Sequence, residues 1–218
     1  MKKGIFGCLI LFVLILVGGG YAAYRFLYLP GKAYVESFAQ LKVVPELNAQ
    51  VQNQSTFTPP ANRELSGTQV ERFIRAQRSI RTTLGARITE LEAKYRTLGE
   101  RMKSESDRPS VRETFTAFKD LMGLYVDAKR AQVAALNAEG LSLAEYEWTR
   151  ARAYEAAGMP IDTSVQQILD EVAAGRVPDA EAVETPEATA PVPETNRALV
   201  KPFTQELSES AALVFFAL

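Results

Sequence analysis

The chain has 218 residues with 25 basic and 26 acidic side chains, no histidine and one cysteine. Lacking histidine, it has neither the commonest general base nor the commonest transition-metal ligand. Cys8 lies inside a hydrophobic stretch, so everything after it lacks a disulfide or a thiolate nucleophile. Beyond residue 30 there remain 22 basic and 26 acidic residues, a net charge of −4, which argues against a nucleic-acid binder.

Lys2 and Lys3 lead into an uncharged stretch from Gly4 to Tyr24. As a helix it would reach roughly 30 Å, the thickness of a bilayer's hydrocarbon core, so residues 1–30 read as a transmembrane anchor embedded in the lipid bilayer through residues 4–24. Tyr21, Tyr24 and Tyr28 suit the outer interface, and the basic start places the amino terminus in the cytoplasm and the rest outside it, periplasmic or extracellular. The alternative is a signal peptide cleaved after Gly20 or Ala22, giving a secreted protein. Gly18 and Gly19, four residues before Ala22 and Ala23, would let two such helices approach closely as a homodimer, although glycines there read first as a weakened helix end.

Residues 31–65 read as a juxtamembrane helix, carrying Tyr34, Val35, Phe38 and Leu41 and stopping before Pro45, and then a loop over Asn53 to Asn62. A helical bundle domain follows over 66–175. Ser66 with Gln69, or Thr68 with Glu71, forms a capping box. Phe73, Gln77, Ile80, Leu84, Ile88, Leu91, Tyr95, Leu98 and Met102 then alternate spacings of four and three, a seam for a partner helix. Glu71–Arg75, Glu90–Lys94 and Glu92–Arg96 read as ion pairs on its solvated face. Polar Gln77 and Gly85 on the seam favour an intramolecular hairpin over an oligomeric coiled coil.

After a polar connection over Lys103 to Pro109, Ser110 with Glu113 opens a helix running to about Glu139, with Phe115, Phe118, Leu121, Met122, Tyr125, Ala128 and Leu136 on its apolar face. Gly140 ends it, Ser142 with Glu145 caps the next helix, and Gly158 ends that one. A short segment from Thr163 to Gly175 completes the bundle. Residues 176–195 are rich in acids, prolines and alanines with no basic residue after Arg176, and read as a disordered tether. Residues 196–218 form an amphipathic helix bent or started near Pro202, folding back on the main domain or recruiting another surface. The expected fold class is all-α: an N-terminal transmembrane helix followed by an antiparallel hairpin or bundle of long helices.

Two constellations stand out. Tyr146, Trp148, Arg150, Arg152 and Tyr154 interleave rings and guanidinium groups on one helix, which could bind a small anionic or planar ligand, or simply fill a core. Arg72, Arg75, Arg78 and Arg81 recur every third residue and could meet an acidic protein partner or the chain's own tether. Nothing has the spacing of a nucleophile elbow, a phosphate-cradling glycine loop, a zinc site or a calcium loop, so neither catalysis, a metal nor a cofactor is expected. The sequence-level function is a membrane-anchored, extracytoplasmic binding or scaffold protein of a bacterial-type cell envelope with a protein partner there. The alternative is an exported helical receptor for a small ligand.

Overall fold

The computed structural model describes residues 40–101, 110–159 and 191–214. These residues are mostly helical and contain no strand, as the all-α reading expects. Among them no helix is long and apolar enough to cross a membrane. The anchor over 4–24, Tyr34 to Phe38, the Lys103 to Pro109 connection, the Thr163 to Gly175 segment, the tether over 176–190, Phe215 and Leu218 lie outside the described residues.

A 3-10 turn over Gln40–Lys42 leads into α1 (Val43–Asn48), followed by α2 (Gly67–Arg101), α3 (Val111–Glu139), α4 (Leu143–Ala156), α5 (Glu194–Val200) and α6 (Thr204–Val214). A second 3-10 turn, Lys201–Phe203, carries Pro202 between the last two helices. The expected stop before Pro45 does not occur, for Pro45 lies in the first turn of α1. There a backbone N–H has no intrahelical acceptor, so its loss costs the helix nothing.

Local chemistry sets the other helix ends. The Ser66 N–H donates to Gln69 Oε1 at 3.0 Å and the Gln69 N–H to Ser66 Oγ at 3.2 Å, so the first of the two candidate boxes caps α2. Ser110 and Glu113 repeat the exchange at 2.8 and 3.2 Å. With the Ser110 hydroxyl donating first, then Arg101 and the Ser110 N–H, the Glu113 carboxyl is held down at about 2. Ser142 Oγ accepts the Glu145 N–H at 3.2 Å. Gly140 and Gly158 have φ of +63° and +75°, the left-handed geometry that ends α3 and α4.

The chain divides into two compact units. Among the described residues the first comprises 40–41, 85–101 and 110–126, the second 42–84, 127–159 and 191–214. In the first, the later part of α2 pairs antiparallel with the start of α3. Lys94 meets Asp120, and seven residues further along α2 Arg101 meets Glu113, seven residues back along α3. Leu91 and Tyr95 of the seam are buried there, and the Tyr95 hydroxyl donates to Asp120 Oδ2 at 2.6 Å.

In the second unit Phe73, Gln77, Ile80 and Leu84 are all buried, as their spacing requires. Ala128, Lys129, Ala131, Gln132, Val133, Ala135 and Leu136 are buried as well, leaving this part of α3 only a narrow exposed stripe through Arg130, Ala134 and Ala138. The short alanines suit such enclosure. The segment after α1 is stitched to the end of α3 by Asn137, whose Oδ1 accepts the Gln52 N–H at 2.7 Å and whose Nδ2 donates to the Gln50 carbonyl at 3.1 Å. The expected Glu71–Arg75 and Glu90–Lys94 pairs give way to contacts between helices: Arg75 bonds Glu139 and Lys94 bonds Asp120, while Glu90 takes Arg87.

Candidate functional site

The richest polar chemistry of the second unit surrounds α4. Tyr146 is fully buried at 0 % exposure, and its hydroxyl accepts a hydrogen bond from Gln77 Nε2 at 2.9 Å. Lys129 Nζ donates to Gln132 Oε1 at 3.1 Å, and Gln132 in turn hydrogen-bonds Tyr146. A polar chain thus runs from α2 through Tyr146 to α3 inside the core. Arg150, 3 % exposed, lies close enough to act electrostatically on both Tyr146 and Tyr154. Burial pushes both phenols well above their ordinary range, against the pull of Arg150, so at neutral pH they stay protonated.

The five aromatic and arginine residues singled out on α4 therefore divide. Tyr146 and Tyr154 flank Phe73, with ring centroids 5.5 and 6.4 Å from it, and form the core. The half-buried Trp148 packs on Phe57 of the loop between α1 and α2, centroids 5.4 Å apart, so its stacking partner comes from this chain. Arg152 pairs with Glu155 at 2.9 Å, and Glu155 also takes Arg63 at 3.0 Å. Partial burial lowers the Arg152 pKa from its ordinary value, the nearby Arg63 adds to this, and Glu155 opposes both. Helical periodicity cannot tell a ring that fills a core from one that lines a pocket, and here the two tyrosines and Arg150 face inward.

The four arginines of α2 are likewise engaged within the chain. Arg72 Nε donates to the Glu139 carbonyl at 2.8 Å and Nη1 lies 3.7 Å from Glu145. Arg75 pairs with Glu139 at 2.9 Å. Arg78 makes a two-pronged contact with Glu206, at 2.7 and 2.8 Å, and Arg81 lies 3.7 Å from Glu206 and 3.4 Å from Glu209. The first two thus clasp the α3–α4 corner and the last two hold α6.

That clasp belongs to a larger docking site for the carboxy-terminal segment. Asn196 is 0 % exposed; its Oδ1 accepts the Leu65 N–H at 2.7 Å and its Nδ2 donates to the Arg63 carbonyl at 2.9 Å, so one side-chain amide satisfies two backbone groups of the loop before α2. Arg63 holds a left-handed φ of 58°, uncommon for a residue with a side chain, in the bend that presents this pair. Val200 and Leu207 are buried, and the Tyr154 hydroxyl donates to the Leu207 carbonyl at 3.4 Å. The carboxy-terminal helices thus fold back on this unit, the first of the two arrangements expected for them, and helix begins at Glu194, inside the stretch read as tether. Sequence reasoning missed Asn196, for which no local signal exists. Lys129 and Gln132 were missed too, although with Tyr125 and Leu136 they continue a four-three spacing that marks a buried face.

The Arg78 hydrogen bonds hold the Glu206 carboxyl below its ordinary range, with the charges of Arg78 and Arg81 assisting and partial burial opposing. A depressed carboxylate contributes stability above its unfolded pKa and loses it as pH falls through the folded value. Thermal melts of the native chain and of Glu206→Gln are therefore expected to differ at pH 7 and to converge only as the pH falls below the ordinary carboxylate range and through the depressed folded value. A gap that persists at low pH would place the contribution of Glu206 in packing.

In the first unit a groove of about 340 Å³ is lined by Lys94, Tyr95, Leu98, Arg101 and Glu113, among others. Its charged groups are already joined in the Lys94–Asp120 and Arg101–Glu113 pairs. Among the described residues no cluster of three or more acidic, cysteine or histidine side chains could hold a metal ion. The class these features define is an all-α protein with a buried polar core and a carboxy-terminal segment docked by an amide bracket and an arginine clasp. Comparison with protein-family models, with curated proteins and with solved structures gives no match.

Proposed function

We propose that the protein is a membrane-anchored, extracytoplasmic helical scaffold or binding protein of a bacterial-type cell envelope, working by contact and not by catalysis. The observation that carries this reading is the uncharged stretch from Gly4 to Tyr24, preceded by Lys2 and Lys3 and followed by a helical body. The engagement of Tyr146, Tyr154 and Arg150 within the core, and of Trp148 and Arg152 with Phe57 and Glu155, supports a scaffold over a small-ligand receptor, because a receptor needs convergent polar groups that face a cavity.

Expression of the full chain in a bacterium, with fractionation and protease treatment of intact spheroplasts, tests the reading. Full-length protein in the membrane fraction, digested from the outer side, is the expected result. A soluble product shortened by about 20 to 22 residues would show a cleaved signal peptide and overturn the anchor. Protection from external protease would overturn the outward orientation.

A further inference from the structure

We propose that α2 is jointed over Gly85–Thr89, a built-in point at which the helix opens and bends while the helical turns on either side stay closed.

The boundary between the two compact units crosses α2 between Leu84 and Gly85 and crosses α3 between Val126 and Asp127, and both helices run through it unbroken. Glycine weakens the interior of a helix, because it leaves the backbone more freedom to lose than any other residue. Close packing or a turn can require it all the same. Neither does so here: a Cβ added at Gly85 or at Gly123 would meet nothing within 4 Å. Gly85 stands at the boundary and Gly123 lies within one turn of it, so each crossing helix has a soft residue at the same level of the fold.

Two further features mark the place on α2. Thr89 Oγ1 donates to the Gly85 carbonyl at 2.9 Å, and Thr83 Oγ1 donates to the Ser79 carbonyl at 2.9 Å. Each hydroxyl competes for a carbonyl that the helix pairs with the N–H four residues on, a competition that loosens and bends helices. Packing is thin there as well. Leu84 and Leu91 are buried, yet none of residues 85–90 between them is, and Ile88 of the seam is only half-buried. The joint therefore opens at little cost in buried apolar surface. On α3, by contrast, Met122, Leu124 and Tyr125 around Gly123 are buried, which assigns the larger opening to α2. Since the halves of α2 belong to different units, a bend at Gly85 breaks into neither core.

Hydrogen exchange read amide by amide in the full chain, in mild detergent, tests the joint, with G85A/T89A as the variant. Thr89 is exposed and the space at Gly85 is open, so neither substitution disturbs packing. The native chain is expected to show a protection minimum over residues 86–90, between slower exchange at 77–84 and at 91–95. In the variant, exchange at the minimum is expected to slow by roughly 2- to 5-fold or more, with the flanks unchanged. A second readout follows the bend itself. Spin labels on Glu71→Cys and Arg96→Cys, both exposed and about 37 Å apart along a straight helix, bracket the joint, with Cys8→Ala removing the native thiol. The distance distribution is expected to be broad and to narrow in G85A/T89A. Protection that runs evenly through α2 overturns the proposal, as does a distribution of the same width in both chains. Neither readout depends on the anchor, which spheroplast fractionation tests separately.

Discussion

Phe73→Ala is expected to destabilise the second unit by about 3–5 kcal/mol, the usual cost of removing a fully buried phenyl ring whose site cannot collapse. Phe73 is at 0 % exposure, with its ring against both Tyr146 and Tyr154. Those neighbours are poorly placed to move into the space. Tyr146 is tied to Gln77 through its hydroxyl, and Tyr154 to the carbonyl of Leu207. Relaxation of either ring toward the cavity would strand a buried polar atom, so the cavity stays open. For a domain of this size the midpoint of thermal unfolding should fall by roughly 10 °C. A loss under about 1 kcal/mol would mean that the tyrosines close the gap and that their hydrogen bonds do not fix them.

The carboxy-terminal dock supplies the second large effect. Asn196→Ala removes both partners of the bracket, leaving the buried Leu65 N–H without an acceptor and the part-buried Arg63 carbonyl without its donor. At about 1–3 kcal/mol for a buried group left unsatisfied, with the Leu65 N–H the buried one, a loss of roughly 1–3 kcal/mol is expected. Asn196→Asp separates geometry from volume. It keeps an acceptor for Leu65 but sets an oxygen against the Arg63 carbonyl, so at neutral pH it should be at least as damaging as alanine. Hydrogen exchange over residues 194–214 reads the effect directly, with protection lost there before the rest of the second unit opens. Deleting residues 191–218 should lower thermal stability further, because it also exposes the surfaces that cover Val200 and Leu207. Unchanged stability on deletion would show that the segment rests on the body without being held by it.

The two predictions probe contacts of different legibility. The capping boxes at Ser66 and Ser110, the cap at Ser142 and the left-handed glycines at 140 and 158 could all be read from sequence, because each satisfies backbone groups within four or five residues. The seam from Phe73 to Tyr95 was legible for a similar reason: a helix of fixed pitch turns sequence spacing into a face. Pro45 misled the reading because its penalty depends on its place within a helix, and that place was set by the preceding turn.

The arginines of α2 mark the limit. Their regular spacing was visible, but the choice between the α3–α4 corner and the carboxy-terminal helix was not, since their carboxylate partners lie 64 to 128 residues away. On α4, rings and guanidinium groups alternate in a way equally suited to a pocket or a core. Only the packing of α2 and α3 against them, with Gln77 and Gln132 reaching Tyr146, made the tyrosines and Arg150 interior. By itself the sequence determined the helical class, most helix ends and the buried stripe of α2, all consequences of short-range backbone satisfaction and helical pitch. The tertiary structure alone decided which polar groups meet: the Asn196 bracket, the Arg78–Glu206 clasp and the burial of Arg150. Those pairings depend on distances between remote segments, which local propensity does not encode.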